Sequence, residues 1–362
     1  MASTFPASCR VDPSTEFLRG RLGLWRRATR NTQVACVIAL GMAATTVEVA
    51  VIGGGFAGLS GALTLARARR GVVVIDEGKP RNAPAAQSHG YLTRDGVSPL
   101  EILSMGRREV TDYGVEIIDG TVSGLERLAD DRFRISTADG ADWEARRVLV
   151  ATGLVDELPD IPGLHERWGR DVVHCPFCFG WEMRDMPVGL LATGPQAIQQ
   201  ALMWRQWTPD LIVFLHTEGP LAEDQALQLA AQAIQVVPGE VVGIEVADDH
   251  LKGVRLSSGK VVERSYLVVA PRFAARHAIL DGLGVKVVEH PLGIGTQVQA
   301  DATGCAAPGV WVAGNVVDVS AGVLQAAASG VTAAAAINFD LSAQESSRAM
   351  TAMREVAQPP AP

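Results

Sequence analysis

The chain has 362 residues, 48% of them hydrophobic, with a mean hydropathy of +0.16, which suits two globular domains and excludes a mostly disordered polymer. Its net charge of −8 and pI near 5.4 exclude the basic surface that a general nucleic-acid binder needs. Of the five cysteines, Cys9, Cys36, Cys175, Cys178 and Cys305, only Cys175 and Cys178 are close enough to share chemistry. That is no secreted disulfide scaffold, and a cytoplasmic, reducing setting is expected.

Residues 1–45 read as an extension. Six arginines (Arg10, Arg19, Arg21, Arg26, Arg27 and Arg30) stand there against Asp12 and Glu16. The apolar run Val34–Ala44 after Arg26-Arg27 faintly resembles a signal peptide but falls short of the roughly 18 residues that would cross a membrane. Met42, just ahead of the first strand, is the alternative start. No membrane association is expected.

Val47–Ile52 is apolar and rich in β-branched residues, the mark of a buried parallel strand. A glycine turn and a helix ending near Arg70 follow, then a strand Val72–Ile75 closed by Asp76, which makes a βαβ unit. Valine-rich strands recur at Arg147–Ala151, Gly189–Leu191, Leu211–Leu215, Tyr266–Ala270 and Val310–Ala313. Gly120–Glu126 and Gly239–Glu245 each open a β-meander that leads back to such a strand. The expected class is α/β, with two Rossmann-like three-layer nucleotide-binding domains, the second inserted into the first. The boundaries read as 46–157 and 287–340 for the first domain, 158–286 for the insert and 341–362 for a tail.

Gly53, Gly55 and Gly58 fit G-x-G-x-x-G: a tight turn, close approach to a pyrophosphate, and close packing of helix on strand. Helix N-terminal amides meet the phosphate charge, and Asp76, 23 residues beyond Gly53, can accept ribose hydroxyls. Glu77 is the next-best ribose ligand. The insert repeats the turn as Ala192-Thr193-Gly194-Pro195-Gln196-Ala197, with alanine where the first glycine belongs. Cys175-Pro176-Phe177-Cys178 is the most specific segment. Two thiols at this spacing can close a disulfide, and one pKa is commonly depressed. A zinc site would need further ligands, and no second Cys or His pair stands out, so no metal is expected.

Together these motifs resemble the low-molecular-weight thioredoxin reductases, a family of flavoproteins, from about Val47 to Asn338. The resemblance implies FAD. It assigns cofactor contacts to the Ala151-Thr152-Gly153 turn, to Arg81, and to Gly314, Asn315 and Asp318 in an Ala-Gly-Asp-x-x-Asp segment whose first aspartate is here asparagine. It adds Gln325 in the first turn of a small-residue helix aimed at the flavin ring. It makes Cys178 the flavin-side thiolate and Cys175 the interchange thiol, and it suggests a homodimer. His174 could stabilise a thiolate or move a proton. One departure matters: the family has an acidic residue after the second cysteine, where Phe179 stands, so Glu182 or His174 would have to substitute. A second departure is the absence of arginine from Phe214–Pro220, where the family supplies a cluster for the NADP 2′-phosphate. NADPH binding is therefore doubtful.

The expected function is an FAD-dependent dithiol/disulfide oxidoreductase. Its partner is either a thioredoxin-like protein or a small-molecule dithiol whose electrons pass to oxygen. A non-catalytic flavin-binding protein is the remaining alternative.

Overall fold

The computed structural model describes residues 45–357, so the expected extension and the alternative start at Met42 lie outside the described residues. β1 (Thr45–Ile52), α1 (Phe56–Arg67) and β2 (Val72–Asp76) form the first βαβ unit. Its helix is shorter than expected because the chain turns left-handed at Arg69, φ 65°. α2 (Pro99–Asp112) leads to β3 (Glu116–Asp119). The main sheet runs Cys305–Ala307, Val310–Val312, Asp142–Val150, β1, β2, β3.

Strand alternation builds the layers. Val49 and Val51 of β1, with Val72 and Val74 of β2, pack on the face of α1 and the C-terminal helix Val323–Ala357. Ala50, Ile52, Val73 and Ile75 point the other way, onto Phe133, Ile135 and Trp143 of the meander. Valines on both faces are what a parallel strand covered on both sides requires.

The second sheet is all parallel, in the order Gln235–Val237, Leu211–Phe214, Val188–Leu191, Tyr266–Val269, Val172–Val173. Its meander, Val241–Ala247 with His250–Leu256 and Val261–Glu263, is a separate three-stranded sheet. In the first half, one long strand, Asp142–Val150, serves meander and main sheet together.

Two expected boundaries move. Arg272–Ala275 pairs antiparallel with Leu154–Glu157 and parallel with Gly295–Val298. The chain thus leaves and re-enters the first half through adjacent strands, ahead of the boundary expected at residue 287. A strand as short as Arg-Phe-Ala-Ala has no local signature, and only its distant partner defines it. The helix from Val323 also continues through residue 341, the expected start of a tail. Leu341 is fully buried and Glu345 pairs with Arg70 and Arg146, each at 2.7 Å. No described helix is long and apolar enough to cross a membrane.

Candidate functional site

The turn after β1 is shaped by backbone contact. Gly53 has φ +102°, and a Cβ there would lie 2.4 Å from the Ala151 carbonyl oxygen. A Cβ on Gly58 would lie 1.8 Å from the Gly53 carbonyl oxygen, so α1 is pressed against its own entry loop. At Gly55 a Cβ would meet nothing within 4 Å, because that side opens on a cavity of ≈1340 Å³. This is larger than the roughly 300–1,000 Å³ of ordinary ligand pockets. The residues at the start of α1, Gly55, Phe56 and Ala57, line it, and a helix N-terminus there suits a phosphate.

Asp76 lies at the β2 end, its Oδ1 accepting from the Gly54 amide at 2.8 Å and its Oδ2 paired with Arg107 at 3.0 Å. Arg107, on α2, also holds Asp119 at 2.5 Å. Glu77 is tied to Lys79 at 2.8 Å, and the Lys79 hydrogen bond holds its carboxyl below the usual range. Asp76 is thereby oriented while Glu77 is spent on its neighbours. The turn, the acid and the cavity together fit an adenine dinucleotide.

The cavity lining includes Gly53, Gly55, Asp76, Arg81, Thr152, Gly153, Gly314 and Asn315, and also His174, Cys175 and Cys178. Gly58, Asp318 and Gln325 are not in that lining. Gly58 lies behind the turn. Asp318 folds back on Ser320, accepting from its amide at 3.0 Å and its hydroxyl at 2.6 Å, and Gln325 is on the exposed face of its helix. The Asn315 amide nitrogen donates to the Asp318 and Ala321 carbonyls at 3.1 and 2.9 Å. The Thr152 hydroxyl donates to the Arg276 carbonyl at 2.7 Å.

Arg81 has a protein partner as well. Its guanidinium makes two bonds to Asp156, 2.7 and 2.6 Å, and lies 5.4 Å from the Phe273 ring centroid. Asp156 also accepts from the Trp168 indole at 3.2 Å. His174 completes this wall, stacked on Trp168 at 5.5 Å and edge-on to Phe273 at 5.6 Å. Only a small part of its surface meets the cavity. Burial, with Arg81 nearby, pushes its pKa down to about 4, against the smaller opposing pull of Asp156. The imidazole is neutral at physiological pH, so it cannot serve as the cation beside a thiolate.

Cys175 and Cys178 form a disulfide, Cα–Cα 5.3 Å, where the strand Val172–Val173 passes into the one-turn helix Pro176–Phe179. Behind that strand Arg167 and Asp171 make a buried pair, and Asp171 also accepts from the Leu251 amide at 2.9 Å. Phe177 and Trp181 flank the disulfide and are 76% and 67% exposed. A pair of reducible sulfurs therefore opens on the same cavity as a dinucleotide-type turn.

In the insert, Ala192 is buried. Thr193 donates to the Ala270 carbonyl at 3.1 Å and Gln196 to the Leu292 carbonyl at 3.0 Å. His216, in the arginine-free stretch, accepts from the Val241 amide at 3.1 Å. These residues close on the protein itself. Arg107, Asp156 and Trp168 had no sequence signal, since each acts through a partner distant in the chain.

Residues 47–335 match the family described as pyridine nucleotide-disulphide oxidoreductase. A thioredoxin reductase of Claviceps purpurea is 33% identical over 250 residues, 66% of this chain and 78% of that protein. The crystal structure of HlmI superposes with a TM-score of 0.81 at 43% identity, over 86% of this chain and 98% of its own. An oxidoreductase from Agrobacterium tumefaciens gives 0.77 at 32% identity, over 82% and 99%. The chain belongs to the pyridine nucleotide-disulphide oxidoreductase family and is a thioredoxin reductase-like member of it, with that family's two-domain Rossmann fold.

Proposed function

We propose that the protein is an FAD-dependent dithiol/disulfide oxidoreductase in which the Cys175–Cys178 pair exchanges electrons with the flavin. The supporting observation is that the disulfide opens on the cavity lined by Gly53, Gly55 and Asp76. Gly53 and the amides of α1 would hold the pyrophosphate, Asp76 the ribose, and the Gly314–Asn315 segment the far end of the cofactor. Bound there, FAD supplies a two-electron acceptor or donor. Trp168 and Phe273 pack on His174, the residue before Cys175, and give that side of the site an aromatic lining.

The oxidase direction, from a small dithiol to oxygen, has specific support. The second turn carries alanine, its side chains close on local carbonyls, and no arginine stands in residues 214–220. The exposed Phe177, which lies between the two cysteines in the chain, suits a partly apolar dithiol. The test is to purify the chain, measure flavin content, and add NADPH, NADH and dithiothreitol in turn under nitrogen. One FAD per chain, bleached fastest by the dithiol and restored by oxygen with peroxide release, is expected. Rapid bleaching by micromolar NADPH followed by reduction of a thioredoxin would restore the reductase direction. A colourless protein that takes up NAD but not FAD would overturn the cofactor.

A further inference from the structure

β2 and β3 pair in parallel with Asp76 opposite Asp119, so two carboxylates stand side by side at neighbouring strand ends. Like charges so placed repel unless a cation lies between them. Arg107 supplies that cation. Its Nη1 donates to Asp76 Oδ2 at 3.0 Å and its Nη2 to Asp119 Oδ1 at 2.5 Å.

The helix places the arginine. Leu100, Leu103, Ser104 and Arg107 fall at i, i+3, i+4 and i+7, one face of α2, and all four line the first cavity. α2 therefore lays this face along the end of the cavity where Asp76 stands, and Arg107 crosses from it to both acids.

The acceptor count on Asp76 gives the arginine a purpose. An ionised carboxylate has about four acceptor sites, two on each oxygen. The Gly54 amide fills one on Oδ1 at 2.8 Å, and Arg107 fills one on Oδ2. A Cβ on Gly54 would lie 2.7 Å from Asp76 Cγ, so the carboxylate is pressed against the turn on one side and clamped by the guanidinium on the other. One site on each oxygen stays free, and Asp76 lines the cavity. Two neighbouring hydroxyls of a ribose present two donors. Arg107 itself is no phosphate anchor, because both of its terminal nitrogens are engaged by carboxylates whose charges together outweigh its own.

We propose that Arg107 is a positioning residue for the adenosine half of the cofactor. By clamping Asp76 against the Gly54 turn, it aims one free acceptor site on each carboxylate oxygen at the two hydroxyls of a ribose. The role rests on the adenine-dinucleotide reading above. Without Arg107, only the Gly54 amide directs the carboxylate, and its side chain can turn to another rotamer. A 2′-deoxyribose leaves one of the two sites unfilled, so the preference for ribose over 2′-deoxyribose reports the alignment of Asp76.

The test is competition of ADP and 2′-deoxy-ADP against FAD on the full chain freed of flavin, read by flavin fluorescence. Wild type is expected to prefer ADP by roughly tenfold, the low end for a hydrogen bond to a charged group. Arg107→Ala should remove most of that preference. Arg107→Lys, which can keep only one of the two contacts, should restore part of it and carries the test if Arg107→Ala does not fold. Asp119→Asn leaves the Arg107–Asp76 pair in place and should keep most of the preference. Asp76→Asn should lose it, and adding Arg107→Ala to that variant should change it no further, as expected when one residue acts through the other. An Arg107→Ala variant that weakens ADP and 2′-deoxy-ADP equally would make the arginine a structural tie or a general attractor of anions, and would overturn its positioning role. Wild type that binds FAD and ADP but does not prefer ADP over 2′-deoxy-ADP would also overturn it, while leaving the cofactor reading intact. Wild type that binds neither FAD nor ADP would overturn both.

Discussion

The two halves carry the same βαβ turn in different conditions. In the first, Gly53 takes φ +102° and Gly55 leaves its Cβ direction open to a cavity. In the second, Ala192 is buried and its neighbours bond to nearby carbonyls, while Gly194, like Gly55, leaves its Cβ direction open. The difference lies at the first turn position, where glycine is replaced by a buried alanine, and in the Thr193 and Gln196 side chains, which bond to the protein itself. The division of labour follows: the first half keeps the features of a cofactor site, and the second keeps the cysteines.

The largest effect should come from breaking the first turn. Gly58→Val places a branched side chain where even a Cβ would lie 1.8 Å from the Gly53 carbonyl oxygen. The purified variant is expected to lose its flavin, as read from absorbance after gel filtration. Full retention would mean that this turn does not hold the cofactor.

Next comes the anchoring of the cysteine segment. Asp171→Ala removes the two-bond partner of the buried Arg167, which keeps only Asp249, and orphans the Leu251 amide. Removing one partner of a buried pair costs about 3–5 kcal/mol, to be read from urea unfolding. A loss under about 1 kcal/mol, the range of surface pairs, would show that this pair is solvated.

His174 sharpens the same point through pH. Its folded pKa is depressed to about 4 from the usual 6.5, so the unfolded chain takes up a proton that the folded chain resists. Stability from this residue is complete above pH 6.5 and declines as pH falls toward 4, by on the order of 3 kcal/mol. His174→Asn should flatten that part of the stability–pH curve, and an unchanged slope would mean that the imidazole is solvated.

The smallest effect should follow repair of the second turn. Ala192→Gly alone is expected to change the rate of reduction by NADPH no more than about fivefold, since the Gly/Ala backbone difference is about 1 kcal/mol. The missing arginine contact accounts for more, about 1.5–3 kcal/mol. A large gain from Ala192→Gly would make the turn itself the barrier.

Features written in contiguous residues were legible in the sequence. The Gly53–Gly58 turn, the alternating burial of β1, Asp76 at a strand end and the Cys175–Cys178 spacing all depend on local periodicity. Features that depend on distant partners were not. Arg81 was expected at the cofactor and does line the cavity, yet its guanidinium is engaged by Asp156, far along the chain. Arg272–Ala275 is a strand only because Leu154–Glu157 lies beside it. Asp318 and Gln325 were assigned by resemblance; Asp318 is bonded to Ser320, and neither residue is among those that line the cavity. His89 is brought to Glu182 only by the fold of its loop, which no local pattern announces.

The central claim is that cysteines of the second half meet a cofactor held by the first, and the absorption spectra of two single variants test it most directly. Cys175→Ser leaves Cys178 free as a thiolate against oxidised flavin, and a long-wavelength charge-transfer band is expected that fades on acidification. Cys178→Ser should show no such band. A band in Cys178→Ser alone would exchange the roles of the two sulfurs. Flavin bound in both variants with a band in neither, at any pH, would contradict the account.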